Sequence, residues 1–171
     1  MRALVLFARS RQIPASLAVA ALCCLLVHAV APVADARWSA LAITTAVSAF
    51  AVGLSGQDAD LDATSAWPWP VYRTAHVVAI VAVTTALVSS ISPLSFVLRG
   101  SVGLAGLAAL GAALFGGYLA WTLPFAWFTV TFFADSWLLA PTGSVAAMWS
   151  AVAFGMAGTT AYALIRSPLK Q

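Results

Sequence analysis

The chain has 171 residues, of which 63% are hydrophobic and 8% are charged, and its mean hydropathy is +0.98. Soluble domains carry about 25% charged residues, so this composition excludes an ordinary soluble fold and indicates helices that use a lipid bilayer as solvent. The net charge of +3 involves no dense basic cluster, which excludes the usual kind of nucleic-acid binding. We therefore expect an all-α fold, a polytopic transmembrane helix bundle forming one domain over residues 1–171.

Apolar runs without charge predict the membrane spans in chain order. Each crossing needs roughly 20 apolar residues. The longest run is divided near Pro124, because proline removes a helix hydrogen bond and favours a break. The last run lies between start and stop signals at residues 141–144 and 166–168. The predicted spans are residues 13–34, 38–54, 74–98, 101–121, 124–134 and 145–165.

The positive-inside rule favours six spans over five. With the N-terminus in the cytoplasm, six spans place these residues inside: Arg2, Arg9, Arg11, Arg73, Arg166 and Lys170. Only Arg37 and Arg99 are then outside, whereas five spans give the two sides equal numbers of basic residues. We expect a multi-pass plasma-membrane protein with both termini in the cytoplasm. The fifth span is the shortest, and a re-entrant hairpin is its alternative.

The N-terminal residues 1–12 alternate basic and apolar residues, which predicts a short helix lying in the inner membrane interface before the first span. A secretory signal peptide is the alternative reading, with cleavage at Ala34-Asp35-Ala36. The apolar run exceeds the usual 7 to 15 residues of a signal peptide, which favours the interfacial helix.

Small residues recur every four positions in two of the predicted spans. The fourth span carries Ser101, Ala105, Ala109, Ala113 and Gly117. The last span carries Ala147, Ala151, Gly155, Thr159 and Ala163. Such ridges let helix backbones approach closely in a bilayer, so they predict helix packing within the chain or between protomers of a homo- or hetero-oligomer.

Patterns that would indicate a catalytic or metal site are incomplete. The run from Asp58 lacks the glycine and the glutamate of a calcium loop. Adjacent Cys23 and Cys24 point about 100° apart on a helix and do not form a metal site by themselves. No phosphate-binding loop for ATP occurs, and no charge lies in the middle of a predicted span. We expect no enzyme activity, no cofactor and no self-powered ion coupling.

One internal polar loop, residues 55–74, is long enough to bind a partner on the cytoplasmic side. Its acidic residues precede an aromatic and proline-rich stretch, and basic residues follow. The residues predicted to contact a partner are Asp58, Asp60, Asp62, Arg73 and His76. A separate ATP-binding subunit is the partner that would supply energy if the chain transports.

The stretch from Gly53 to Thr64, followed by Trp67, Arg73 and His76, resembles the loop between the second and third spans of small permease-like membrane proteins of actinobacteria. Residues 103–107, 119–121 and 137–141 resemble the same group, which is associated with ATP-binding-cassette exporters. The resemblance implies a six-span half-permease that dimerises, binds a nucleotide-binding subunit through this loop, and exports a lipophilic or peptide-like compound. The chain is shorter than typical exporter permeases.

Two other classes of function stay open. A non-transporting accessory, assembly or immunity protein would have the same composition. An intramembrane hydrolase is the third reading, because Gly53-Leu54-Ser55-Gly56 and Ala75-His76 resemble the serine and histidine motifs of rhomboid proteases. Rhomboids separate those motifs by a further span, whereas here one loop separates them, which counts against the hydrolase.

Overall fold

A computed structural model describes residues 13–30, 35–54, 69–134 and 136–165. These residues form helices and turns and no strand, which confirms the all-α fold. The six α-helices of the described part are α1 Ile13–Val30, α2 Ala36–Ala51, α3 Trp69–Val88, α4 Leu94–Phe115, α5 Thr122–Val130 and α6 Val145–Leu164. Two short 3₁₀ helices, Val52–Leu54 and Gly117–Leu119, follow α2 and α4. The interfacial helix predicted at residues 1–12 lies outside the described residues.

Three of these helices are long and apolar enough to cross a bilayer: Ala36–Leu54, Pro70–Val88 and Leu94–Phe115. At 1.5 Å per residue, 19 to 22 residues extend about 28 to 33 Å, which matches a hydrocarbon core of about 30 Å. α1 is apolar but slightly shorter. α6 has 20 residues without a charge, and it is not one of those three.

α4 is the central helix. It packs against α2, α3, α5 and most extensively α6, and nearly every residue from Phe96 to Ala113 is buried. α1 lies at the edge, where it contacts mainly α2 and exposes Leu22, Leu25 and Leu26. The core of the molecule is therefore the surface of α4, and α1 is the most peripheral helix.

Consecutive helices run in opposite directions, so the bundle has two ends. At one end Ser39 near the start of α2 hydrogen-bonds Ser92 before α4, and Arg99 contacts the segment that precedes α6. At the other end, Arg73 near the start of α3 contacts the end of α6, and the two 3₁₀ helices touch each other. We call these the Arg99 end and the Arg73 end.

The last helix confirms the signals read from the sequence. α6 spans Val145–Leu164, within one residue of the predicted 145–165. Ser144 is its N-cap, and the Ser144 Oγ accepts a hydrogen bond from the Ala147 N–H at 3.3 Å. A serine in this position satisfies one of the backbone donors that the first helical turn leaves free.

The boundary between α3 and α4 differs from the prediction. It was expected at Arg99-Gly100, but α3 ends at Val88 and α4 begins at Leu94. The intervening turn contains Ser89, Ser90 and Ser92 and ends at Pro93, the N-cap of α4. A proline restricts the preceding residue to extended conformations, whereas an arginine does not end a helix. Charge was therefore the wrong signal for this boundary.

The break after α4 also lies earlier than predicted. The fourth span was expected over 101–121, yet α4 ends at Phe115, and Gly116 has a φ of 83° that ends the helix. Glycine reaches this conformation without the steric cost that a side chain imposes. Pro124 sits in the first turn of α5, where its missing N–H breaks no helix hydrogen bond. α5 then ends at Val130, and irregular turns lead to α6.

Candidate functional site

The structure describes residues 69–74 of the predicted coupling loop, and these residues lie in α3. Asp58, Asp60 and Asp62 lie outside the described residues. Arg73 and His76 were expected at the end of the loop and the start of the third span, and the structure places both in the first two turns of α3. The helix begins at Trp69, earlier than the predicted residue 74, so the C-terminal part of the loop is helical.

Arg73 contacts the C-terminal end of α6. Its Nη1 donates hydrogen bonds to the carbonyl oxygens of Tyr162 at 3.0 Å and Ile165 at 3.2 Å. The guanidinium also lies 5.3 Å from the centre of the Tyr162 ring. The last carbonyls of a helix have no partner within the helix and carry partial negative charge, so a cation is favourable there. Arg73 thus joins the beginning of α3 to the end of α6.

Tyr162 makes a second link, on the other side of the loop. Its hydroxyl donates a hydrogen bond of 2.9 Å to the carbonyl oxygen of Leu54, and both residues are buried. Leu54 comes directly before the loop and Arg73 near its end. We call Leu54, Arg73 and Tyr162 the loop anchor, because Tyr162 on α6 holds the chain on both sides of residues 55–72.

The small residues predicted to pack do so only over part of each helix. On α4, Ala105, Ala109 and Ala113 are buried, whereas Gly117 lies beyond the helix in a 3₁₀ turn. On α6, Ala151 is fully buried, and Gly155 and Thr159 are partly exposed.

The buried face of α6 is Ala147, Ala151, Gly158 and Tyr162. On a helix with 3.6 residues per turn, each step of four residues rotates the side chain about 40° beyond one full turn. The contact face therefore leaves the predicted ridge after two turns.

α4 and α6 touch through their backbones at two glycines. A Cβ added at Gly158 would lie 1.8 Å from the carbonyl oxygen of Gly106. A Cβ added at Gly106 would lie 2.3 Å from the carbonyl oxygen of Phe154 and 2.5 Å from the Cα of Gly155. Only glycine allows this approach at both positions. Gly106 and Gly158 were not in the predicted ridges, whereas Gly155, which lies at the crossing, was.

Arg99 is the residue whose position the sequence misplaced most. It was expected outside the membrane between two spans, and it lies inside α4 with 2% of its surface exposed. Its Nη1 donates to the carbonyl oxygen of Pro141 at 2.9 Å, and its Nη2 donates to those of Leu138, at 3.4 Å, and Ala140. Irregular backbone has carbonyl groups that no helix or sheet partner satisfies, and hydrogen bonds from a side chain can satisfy them. Arg99 holds the segment before α6 in place.

An aromatic cluster lies beside this arginine. The rings of Trp127 and Trp137 stack with centres 6.1 Å apart, and Phe154 of α6 lies 5.1 Å and 6.0 Å from them. Gly103 makes room for the cluster, because a Cβ there would lie 2.2 Å from Cη2 of Trp137. The cluster joins α5, the segment after it, and α6 to the middle of α4.

The described residues contain no group of three histidine, cysteine or acidic side chains that could hold a metal ion. Cys23 and Cys24 are both free thiols on α1. Ser55, the nucleophile that the hydrolase reading requires, lies outside the described residues.

The comparisons with known proteins add no relative. The chain matches no protein-family model, no curated protein and no solved structure.

Proposed function

We propose that the chain is a multi-pass integral membrane protein with the Arg73 end in the cytoplasm. Three helices with the length and hydropathy of a membrane span support insertion. The charges support the orientation, because Arg73 lies at one end, where α6 also ends one residue before Ile165 and two before Arg166 in the sequence, whereas Arg37 and Arg99 lie at the other. α1 begins two residues after Arg11 and contacts the 3₁₀ helix Val52–Leu54 at the same end.

We count six membrane-inserted segments, of which the fifth is incomplete as a helix. α5 has nine residues, so it extends only about 14 Å. The chain nevertheless passes from the Arg73 end at Gly117–Leu119 to the Arg99 end at Pro141 before α6 begins. Irregular backbone covers the remaining depth: Trp137 and Leu138 are buried and Arg99 donates hydrogen bonds to carbonyl groups of the segment, whereas Phe132 and Phe133 are exposed. Irregular backbone is tolerated within membranes where it is buried in protein.

Within this topology, we propose that the chain is the membrane subunit of an ATP-driven exporter for a lipophilic or peptide-like compound. The observation that carries the proposal is the loop anchor. Tyr162 binds the chain on both sides of the 55–72 segment, so a partner that moves the segment would pull on α6. α6 contacts α4 through Gly106 and Gly158 without intervening side chains, so the displacement would reach the centre of the bundle.

The transport path would lie between copies of the chain. α4 is buried on all sides from Gly103 to Ala109 by its neighbours, which makes the interior of one copy a packed core. This arrangement agrees with a half-permease that works as an oligomer. It also favours the second candidate, a non-transporting accessory or immunity protein, which needs a stable bundle and no path.

Affinity purification in mild detergent separates the two candidates. If the exporter proposal is right, an ATPase follows the intact chain, and charge reversal of Asp58, Asp60 and Asp62 to lysine releases it. The control is Thr142→Lys, which adds a lysine at an exposed position of the Arg99 end and should retain the ATPase. An ATPase that stays bound to the triple variant contradicts docking through the loop. A chain that binds no ATPase in its native membrane supports the accessory role.

A further inference from the structure

The surroundings of Arg99 contain hydrogen-bond donors without acceptors. Among the described residues, Nε of Arg99 and Nε1 of both Trp127 and Trp137 are buried and have no hydrogen-bond partner. Arginine and tryptophan side chains only donate, so an acceptor has to come from elsewhere. Most buried polar groups are paired, and several unpaired donors close together need an explanation.

The three donors belong to one region of the α4 surface. Arg99 and Gly103 are four residues apart, so they lie one above the other on the same face of the helix. Trp137 packs directly on Gly103, and Trp127 stacks on Trp137. Leu138, the residue after Trp137, accepts a hydrogen bond from Arg99. The guanidinium and the two indoles are therefore neighbours on one side of α4.

The charge of Arg99 lacks a compensating charge in the described part of the chain. Its described partners are three neutral carbonyl groups and the ring of Phe96, 5.5 Å from the guanidinium carbon. Asp35 is the one side-chain carboxylate among the described residues. It is the N-cap of α2 and accepts a hydrogen bond from the backbone N–H of Arg37. Burying an uncompensated charge is costly, so an anion bound here would gain both electrostatic attraction and the unused donors.

We propose that Arg99, Trp127 and Trp137 form a binding site for a small inorganic anion of halide size. The packing limits the size of the ligand, since Arg99 is 2% exposed and Trp137 is in contact with the backbone at Gly103. A monatomic anion accepts hydrogen bonds from N–H groups in several directions and needs little room. An organic carboxylate or a phosphate ester is larger and would displace the aromatic cluster. This proposal is independent of the exporter proposal and needs no ATPase.

Equilibrium dialysis of the purified full-length chain against radioactive chloride, in sodium gluconate at constant ionic strength, tests the site. We expect saturable binding that unlabelled chloride displaces, together with a rise in the thermal unfolding temperature. Trp137→Phe keeps an aromatic ring and removes one donor, so chloride affinity should fall at least about tenfold. The matched control is Trp149→Phe on the exposed side of α6, which should bind like the wild type.

Arg99→Gln should abolish chloride binding, and Trp137→Phe keeps the test decisive if that variant does not fold. Equal affinity in Trp137→Phe and Trp149→Phe would overturn the proposal, as would an intact chain that binds no chloride. Asp135 lies outside the described residues and is tested separately. If Asp135→Asn binds chloride and the wild type does not, the chain supplies its own counter-charge, and the site for a free anion is refuted.

Discussion

Replacing Gly158 by alanine tests the contact between α4 and α6. The new Cβ would lie 1.8 Å from the carbonyl oxygen and 2.5 Å from the carbonyl carbon of Gly106. Carbon and oxygen approach to about 3.3 Å even in favourable C–H···O contacts, so the shortfall is about 1.5 Å. Both atoms of Gly106 belong to the backbone, so no side-chain rotation can relieve the clash. The two helices have to separate.

The separation should cost about 3 kcal/mol. Overpacking a tight core costs about 1 to 3 kcal/mol when side chains can adjust, and the upper end applies here because only whole-helix movement is available. The same movement weakens the contacts of Gly155 with Val102 and of Phe154 with the aromatic cluster. About 3 kcal/mol lowers the equilibrium constant for folding by more than about a hundredfold.

Reversible unfolding in mixed detergent micelles, followed by tryptophan fluorescence, measures this loss. Gly143→Ala is the matched control, since a Cβ at Gly143 meets nothing within 4 Å, and its free energy of unfolding should change by less than about 0.5 kcal/mol. Equal unfolding midpoints for Gly158→Ala and Gly143→Ala would refute the close approach of α4 and α6.

Three further predictions concern Arg99, Tyr162 and the membrane topology. Arg99→Gln should destabilise the chain by about 3 kcal/mol, because it removes hydrogen bonds to three backbone carbonyl groups, each worth about 1 kcal/mol. Arg37→Gln at an exposed position should change stability by less than about 0.5 kcal/mol in the same assay. Tyr162→Phe should lower the free energy of unfolding by about 1 kcal/mol, because it removes one hydrogen bond. Tyr118→Phe changes an exposed residue and should cause no measurable loss. Equal losses in the two variants would contradict the loop anchor. The topology is tested in a chain whose own cysteines are replaced by alanine. An impermeant maleimide added to intact cells should label Gly143→Cys and leave a cysteine appended to the C-terminus unlabelled. The reverse labelling pattern would show that the proposed orientation is wrong.

Hydropathy alone determined the class of the fold. A long apolar run satisfies its own backbone polar groups in a bilayer by forming a helix. The helix Ala36–Leu54 lies where such a run predicted a span, whereas Pro70–Val88 and Leu94–Phe115 both begin and end earlier than predicted. Local signals also located α6, because the N-cap Ser144 acts within one turn and depends on no distant residue. Such features are readable from neighbouring residues alone.

Contacts between distant residues decided the rest. Arg99 counted as a loop charge in the sequence, since nothing near it reveals that the carbonyls of residues 138–141 need donors. The rotation of α6 about its axis, which brings Gly158 onto Gly106, depends on the shape of α4 and on the drift of a four-residue repeat. A sequence pattern gives the apolarity of a helix, but which of its faces meets which neighbour is set when the whole bundle packs.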